Sequence, residues 1–236
     1  MPTILPDLRP LLHDQTAVLP LQNGVEAPEQ IGSALGEQHP LVGLCRIISA
    51  RIGPGHIRHT GAEPYVAVGE IDGHHSKRVE RILAAFDTVG VTAERPADII
   101  AALWEKFLFI TAVSGLGAVT RVSIGELRAL RQTRALLADS MREVMTLARA
   151  RGIELPPDTV ARTMDFIDAL PESGTASMQR DIMAAVPSEL ESQNGAVARM
   201  AAAAGVEAPI NTLIHTLLLP LERQARKNVA VAGKPA

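Results

Sequence analysis

The chain has 236 residues, 47% of them hydrophobic, enough for a sizeable core in one or two domains. With 23 basic and 26 acidic residues and a net charge of −3, it has no electrostatic footprint for nucleic acid or an anionic membrane. The single cysteine, Cys45, excludes an intrachain disulfide and reads as a small buried hydrophobe in an apolar stretch.

At the N-terminus, Met1 to Pro10 holds two internal prolines and an aspartate and lacks a basic segment, so no signal peptide is expected. Thr16 to Leu21 reads as a short buried strand ending in the turn Gln22-Asn23-Gly24. A helix is expected over Pro28 to Leu35, ended by Gly36, and one long strand over Leu41 to Ile52. After the turn Gly53-Pro54-Gly55 come short strands at His56–His59 and Tyr65–Val68, then a turn at Asp72-Gly73. Ser76 suits the N-cap of a helix through Phe86, and Val91 to Glu94 suits a last strand. Strands alternating with helices argue an α/β layer.

From Pro96 onward the strand signal disappears. Helices are expected at Ala97–Ser114, Gly125–Arg151, Pro157–Ala169, Met178–Ala185, Glu189–Ala204 and Ile210–Arg223. Gly152 and Gly205 are stop signals, followed closely by Pro156 and Pro209. Ile99 to Val119 is nearly long enough to span a bilayer, but Glu105 and Lys106 lie inside it, which favours a buried helix of a soluble, cytoplasmic protein. The expected domains are 1–95 (α/β), 96–226 (all-helical) and a frayed tail, 227–236, its polar stretch starting at Gln224.

Three stretches carry candidate chemistry. Asn23 follows a strand directly, where open α/β sheets bind ligands, although Asn-Gly is also an ordinary turn dipeptide. Lys106 sits in a helix apolar on nearly all faces. Desolvation there lowers an amine's pKa toward proton exchange at neutral pH; snorkelling or pairing with a carboxylate is the plainer alternative. Ile110 and Ser114 share its face at one- and two-turn spacing. In the third stretch, Ser177 and Asp181 share a helix face. Ser188 with Glu191 has the spacing of a capping box, which puts Glu189 in a first helical turn. Taken alone, Glu189 is better read as a plain helix-start carboxylate, and an ordinary helix start explains Ser177 and Asp181 too. No metal site is expected.

Taken together, Gln22-Asn23-Gly24, Trp104-x-Lys106, Ser177-Met178-x-x-Asp181 and Ser188-Glu189-Leu190-Glu191-x-x-Asn194-Gly195 resemble the ketopantoate reductase (2-dehydropantoate 2-reductase) family. The run Ile57-Arg58-His59-Thr60-Gly61 leading to Gly69-Glu70-x-Asp72-Gly73 is similar as well. The resemblance implies an oxidoreductase of pantothenate biosynthesis: a Rossmann-like NADP domain joined to a helical domain of the 6-phosphogluconate dehydrogenase C-terminal type. It implies NADPH-dependent reduction of a small 2-keto acid to the 2-hydroxy acid. Lys106 would then protonate or polarise the carbonyl oxygen as a catalytic residue, with Glu189 holding the substrate's hydroxyl end. Ser177, Asp181 and Ser114 would contact substrate. Asn23 and Gly24 would lie where nicotinamide meets substrate.

Two departures stand out. Where the family often carries asparagines one and two turns after its lysine, this chain has Ile110 and Ser114, which puts substrate identity in question. No G-x-G-x-x-G occurs in residues 1 to 60, so the α/β half is expected to be a partial Rossmann-like domain, a remnant lacking its first βαβ unit. The full-length parent would be the enzyme and the chain itself inactive. The alternative is a degenerate, non-catalytic paralogue serving in oligomerisation or small-acid binding. Apolar positions in Ile210–Leu221 leave room for a homodimer.

Overall fold

A computed structural model describes residues 4–61 and 63–232, with side chains through Val229. Met1 to Thr3, part of the segment read against a signal peptide, and 233–236 of the expected tail lie outside the described residues. The chain divides into two compact units, Met1–Leu103 and Trp104–Ala236.

The first unit opens with α1 (Leu5–Leu8) and a 3-10 turn at Arg9–Leu11. The strand expected at Thr16–Leu21 reduces to one parallel bridge, Val18 opposite Pro40. The Val18 N–H donates to His39 O at 2.8 Å, and the Leu41 N–H donates to Val18 O at 3.0 Å. Pro20 and Pro40 have no N–H to extend the ladder, which stops it at a single step. Between the bridge partners runs α2 (Ala27–Leu35), with Pro28 in its first turn and Gly36 ending it at φ 113°.

The central sheet has the order β1-β4-β5: β1 (Val42–Arg46), β4 (Tyr65–Gly69) and β5 (Thr92–Glu94). β1 pairs antiparallel with β4, and β4 pairs parallel with β5. The single strand expected over Leu41–Ile52 is two. β2 (Ser49–Gly53) leaves the sheet and forms a separate hairpin with β3 (His56–His59). The break follows from register: β4 begins at Tyr65 opposite Arg46, so the chain beyond Arg46 has no neighbour to pair with.

Side-chain alternation sorts the sheet into two faces. Val42, Leu44 and Ala67 pack with Ile99 and Leu103, at the start of α4 (Ile99–Thr120). On the other face Leu41, Val66 and Val68 pack with Val79 of α3 (Lys77–Asp87) and with Leu19, Leu21 and Cys45. Each such aliphatic side chain contributes roughly 1.5–3 kcal/mol on burial. Ser76 caps α3 as expected, accepting the Val79 N–H at 3.2 Å. Glu70, 3% exposed, forms a two-pronged pair with Arg78 at 2.7 and 2.5 Å.

The second unit is helical. α4 continues past the expected stop at Ser114 because its two glycines let neighbours approach. A Cβ at Gly115 would stand 2.8 Å from the Asn194 amide, and one at Gly117 2.6 Å from Gln179 Oε1. The single helix expected over Gly125–Arg151 is two, α5 (Ile124–Ala129) and α6 (Arg131–Ala150), broken at an extended Leu130. Gly125 abuts the Glu172 backbone, and the Thr133 hydroxyl donates to Leu127 O, a carbonyl exposed by the break. α7 (Thr159–Ala169) packs on α4 through an edge-to-face pair, Phe109–Phe166.

α8 (Ser177–Met183) ends in Ala185 at φ 54°, a left-handed conformation strained for a residue with a Cβ. A 3-10 turn at Leu190–Ser192 precedes α9 (Asn194–Ala204), so Glu189 does not open a long helix and lacks the dipole of one. Gly205 stops α9 at φ 67°. α10 (Pro209–Ala232) continues into the stretch expected to fray, as far as Ala232. Glu222 and Ala225 on its inner face are 2% and 3% exposed, and that burial holds the helix in place. Among the described residues α4 alone is long and apolar enough to cross a membrane, and 61% of its apolar window is buried.

Candidate active site

Lys106 is half-buried, one turn before half-buried Ile110 and two turns before Ser114, which is 3% exposed. Beside it Trp104 packs edge-to-face on Phe107, and the Glu105 carboxylate accepts from Arg162 at 3.0 Å.

The adjoining face of α4 meets two polar side chains. Asn194 donates from Nδ2 to Thr111 O at 3.2 Å. Gln179 donates from Nε2 to Val122 O at 2.8 Å. The first bond docks α9 on the helix that carries Lys106, and the second ties α8 to the loop just after it. Ser177 opens α8 and is exposed, and Asp181 follows one turn later, half-buried. Burial raises the Asp181 carboxyl above its ordinary range; the nearby Glu189 and Glu222 charges add to this and Arg180 opposes it. Asp181 and Glu189, singled out on separate motifs, therefore share one electrostatic neighbourhood.

The capping box expected from Ser188 and Glu191 does not form. The Ser188 Oγ–H donates to Glu222 at 2.6 Å, and Glu191 instead accepts from Arg199 at 3.0 Å and lies 3.3 Å from His215 Nε2. The Glu189 carboxylate accepts from Gln193 Nε2 at 3.0 Å. Gln193 and Asn194 are fully buried, and Gln193 Oε1 and Asn194 Oδ1 have no hydrogen-bond partner. Sequence reading missed Glu222, Gln193 and Asn211. Glu222 with Arg226 four residues on looks like a surface helix pair. A polar residue on an apolar helix face was the only signal for Asn211.

In the first unit, Asn23 is half-buried and precedes Gly24, whose φ of 114° suits glycine. The turn follows the Val18 bridge, and Cys45 Sγ holds Leu21 O at 3.3 Å. The segment is thus tied to the sheet at Val18 and Leu21.

Residues 98–222 match the family model described as ketopantoate reductase PanE/ApbA C terminal, and residues 2–73 match ketopantoate reductase PanE/ApbA. The chain belongs to the ketopantoate reductase family. It is 30% identical over 223 residues to a 2-dehydropantoate 2-reductase of Nostoc sp., covering 92% of this chain and 68% of the relative. An uncharacterized oxidoreductase of Bacillus subtilis is 25% identical over 221 residues, covering 94% of this chain and 73% of the relative. A PanE/ApbA family ketopantoate reductase of Ralstonia eutropha superposes with a TM-score of 0.84 at 28% identity, covering 95% of this chain and 72% of that one. D-mandelate dehydrogenase, solved with NADH and anilino(oxo)acetate, shares the fold at a TM-score of 0.86 and 21% identity, covering 95% of this chain and 74% of that one. Ketopantoate reductases thus share this chain's α/β and helical arrangement.

Proposed function

We propose that this chain carries the substrate side of an NADPH-dependent reduction of a 2-keto acid, ketopantoate or a close analogue, to the 2-hydroxy acid. The observation that carries the reading is Lys106, a half-buried lysine within the stretch that matches the ketopantoate reductase C-terminal model. A partly desolvated amine suits proton delivery to a carbonyl oxygen. Glu189 hydrogen-bonds the substrate's hydroxyl end. Ser177 and Asp181 contact the acid, Asp181 through a carboxyl whose pKa burial raises. Ser114 offers one hydroxyl to the pocket, while Ile110 offers none, which favours a less polar keto acid. The relatives named 2-dehydropantoate 2-reductase support this substrate class.

The residues present fit the cofactor at one end only. Asn23 and Gly24 form a turn that suits the nicotinamide end, in the first domain of the pair 1–95 and 96–226. No Gly-rich turn able to cradle a pyrophosphate occurs in residues 1 to 60. When bound, the nicotinamide supplies the hydride. A second reading is a non-catalytic module that binds a small acid or oligomerises. Exposed Leu213, Leu217 and Leu221 form a stripe on α10 that suits a homodimer, which light scattering tests.

Turnover of ketopantoate, followed by loss of NADPH absorbance, tests the main reading. Lys106→Ala is expected to lower it on the order of 10²- to 10⁴-fold. Near-normal turnover in that variant overturns the role of Lys106. No turnover when the chain is extended with a relative's nucleotide-binding segment, with calorimetric binding of the acid intact, selects the second reading.

A further inference from the structure

The most heavily bonded buried carboxylate in the helical unit belongs to neither Lys106 nor the substrate motifs. Glu222, on α10, is 2% exposed, a costly position for a carboxylate unless it is fully partnered. Its partners all converge on one residue. The Ser188 N–H lies 3.2 and 3.0 Å from the two Glu222 oxygens, and the Ser188 hydroxyl donates to Oε2 at 2.6 Å. Arg226, one turn further along α10, reaches Glu222 Oε1 at 2.6 Å and donates to Ser188 O at 3.1 Å. Ser188 is therefore held at its nitrogen, hydroxyl and carbonyl by a single turn of α10. Its hydroxyl also accepts the Leu190 N–H at 3.2 Å.

The residues on both sides of Glu189 are thus fixed, and the Glu189 carboxylate is itself held by Gln193. The segment needs such a fixture. It follows a strained Ala185 and leads only into a three-residue 3-10 turn, with no long helix to orient it. An apolar side chain in place of Glu222 would anchor the segment at lower desolvation cost but could not fix the direction of three polar groups at once.

We infer that Glu222, with Arg226, is a positioning residue that sets the orientation of the Glu189 carboxylate for the acid substrate. This rests on the reading of Glu189 as a substrate-binding group. The hydrogen bonds act through the backbone at Ser188, so loss of the clamp is felt at the neighbouring carboxylate without any change in the groups that touch substrate.

The test is calorimetric binding of ketopantoate with no reducing cofactor present, on the full chain, for Glu189→Gln, Glu222→Gln and the double variant. Glu222→Gln keeps the size of the side chain but weakens its tie to Arg226. Each single variant is expected to bind about tenfold more weakly, and the double variant no more weakly than Glu189→Gln alone, because coupled residues are not additive. Arg226 is largely exposed, so its variants remain informative even where Glu222→Gln unfolds. Arg226→Met is expected to weaken binding and Arg226→Lys to restore it. Additive losses in the double variant overturn the positioning role. So do parent-like affinities in Glu222→Gln and Arg226→Met alongside weakened Glu189→Gln. A parent chain that does not bind, or Glu189→Gln binding as the parent does, refutes the Glu189 assignment itself.

Discussion

Asn194 donates from Nδ2 to the Oδ1 of Asn211 at 2.9 Å, joining α9 to α10 inside the helical unit. Asn211 in turn donates to Ser140 O at 3.1 Å and to Glu143 Oε2 at 2.8 Å, and Glu143 also accepts the backbone N–H groups of Ile210 and Asn211 at the start of α10. A carboxylate at a helix N-terminus satisfies donors the helix leaves open. Replacing Asn211 with Leu leaves several of these buried groups unpartnered. The expected cost is about 2–4 kcal/mol, read by chemical denaturation. A loss below about 1 kcal/mol would show that the network is dispensable.

Gly115 lies under the same asparagine. A methyl group there would stand 2.8 Å from both amide atoms of Asn194 and 2.9 Å from Ile214 Cγ2. Gly115→Ala should therefore destabilise the protein by roughly 1–3 kcal/mol, against the helix propensity that favours alanine. A stabilised Gly115→Ala protein contradicts the close approach of α9 to α4.

Tyr65 is the chain's one tyrosine, so its phenolate absorbance reports a single site. Burial, then the hydrogen bond to Glu94, raises its pKa from 10.0 to about 12. The unfolded chain loses this proton first, so the stability tied to Tyr65 is complete below pH 10 and falls as pH rises toward 12. Spectrophotometric titration should show a midpoint near 12. Glu94→Gln should lower that midpoint only in part, because burial is the larger cause. A midpoint at the ordinary value would mean that the phenol is solvated.

Arg78 holds the Glu70 carboxyl below its usual range of 4.5, chiefly through their paired hydrogen bonds. A depressed folded pKa contributes stability that is present above 4.5 and is lost as pH falls through the lower folded value. Glu70→Gln should be less stable than the parent at neutral pH, and the gap should close in acid. An unchanged gap on acidification, in melting temperature, would remove this linkage.

The sequence disclosed what lies within a short window. The Ser76 cap, the turn at Asn23-Gly24, the glycine stops and most helix centres rest on local propensity and on a hydrophobic period that spans a few turns. The motifs around Lys106, Ser177 and Glu189 were visible for the same reason, as was the family they signal. Where local rules competed with packing they misled. Leu130 breaks a continuous helical pattern, Arg46 ends a strand whose residues still favour extension, and Ser188 abandons Glu191 for a carboxylate 34 residues away. Pairing partners at that separation leave no periodic trace. A buried carboxylate four residues before an arginine reads the same as a solvated pair until the surrounding helices remove its water. Tertiary structure therefore decided which polar residues hold the candidate site, because burial, which makes those hydrogen bonds obligatory, is a property of the packed helices and not of any one segment.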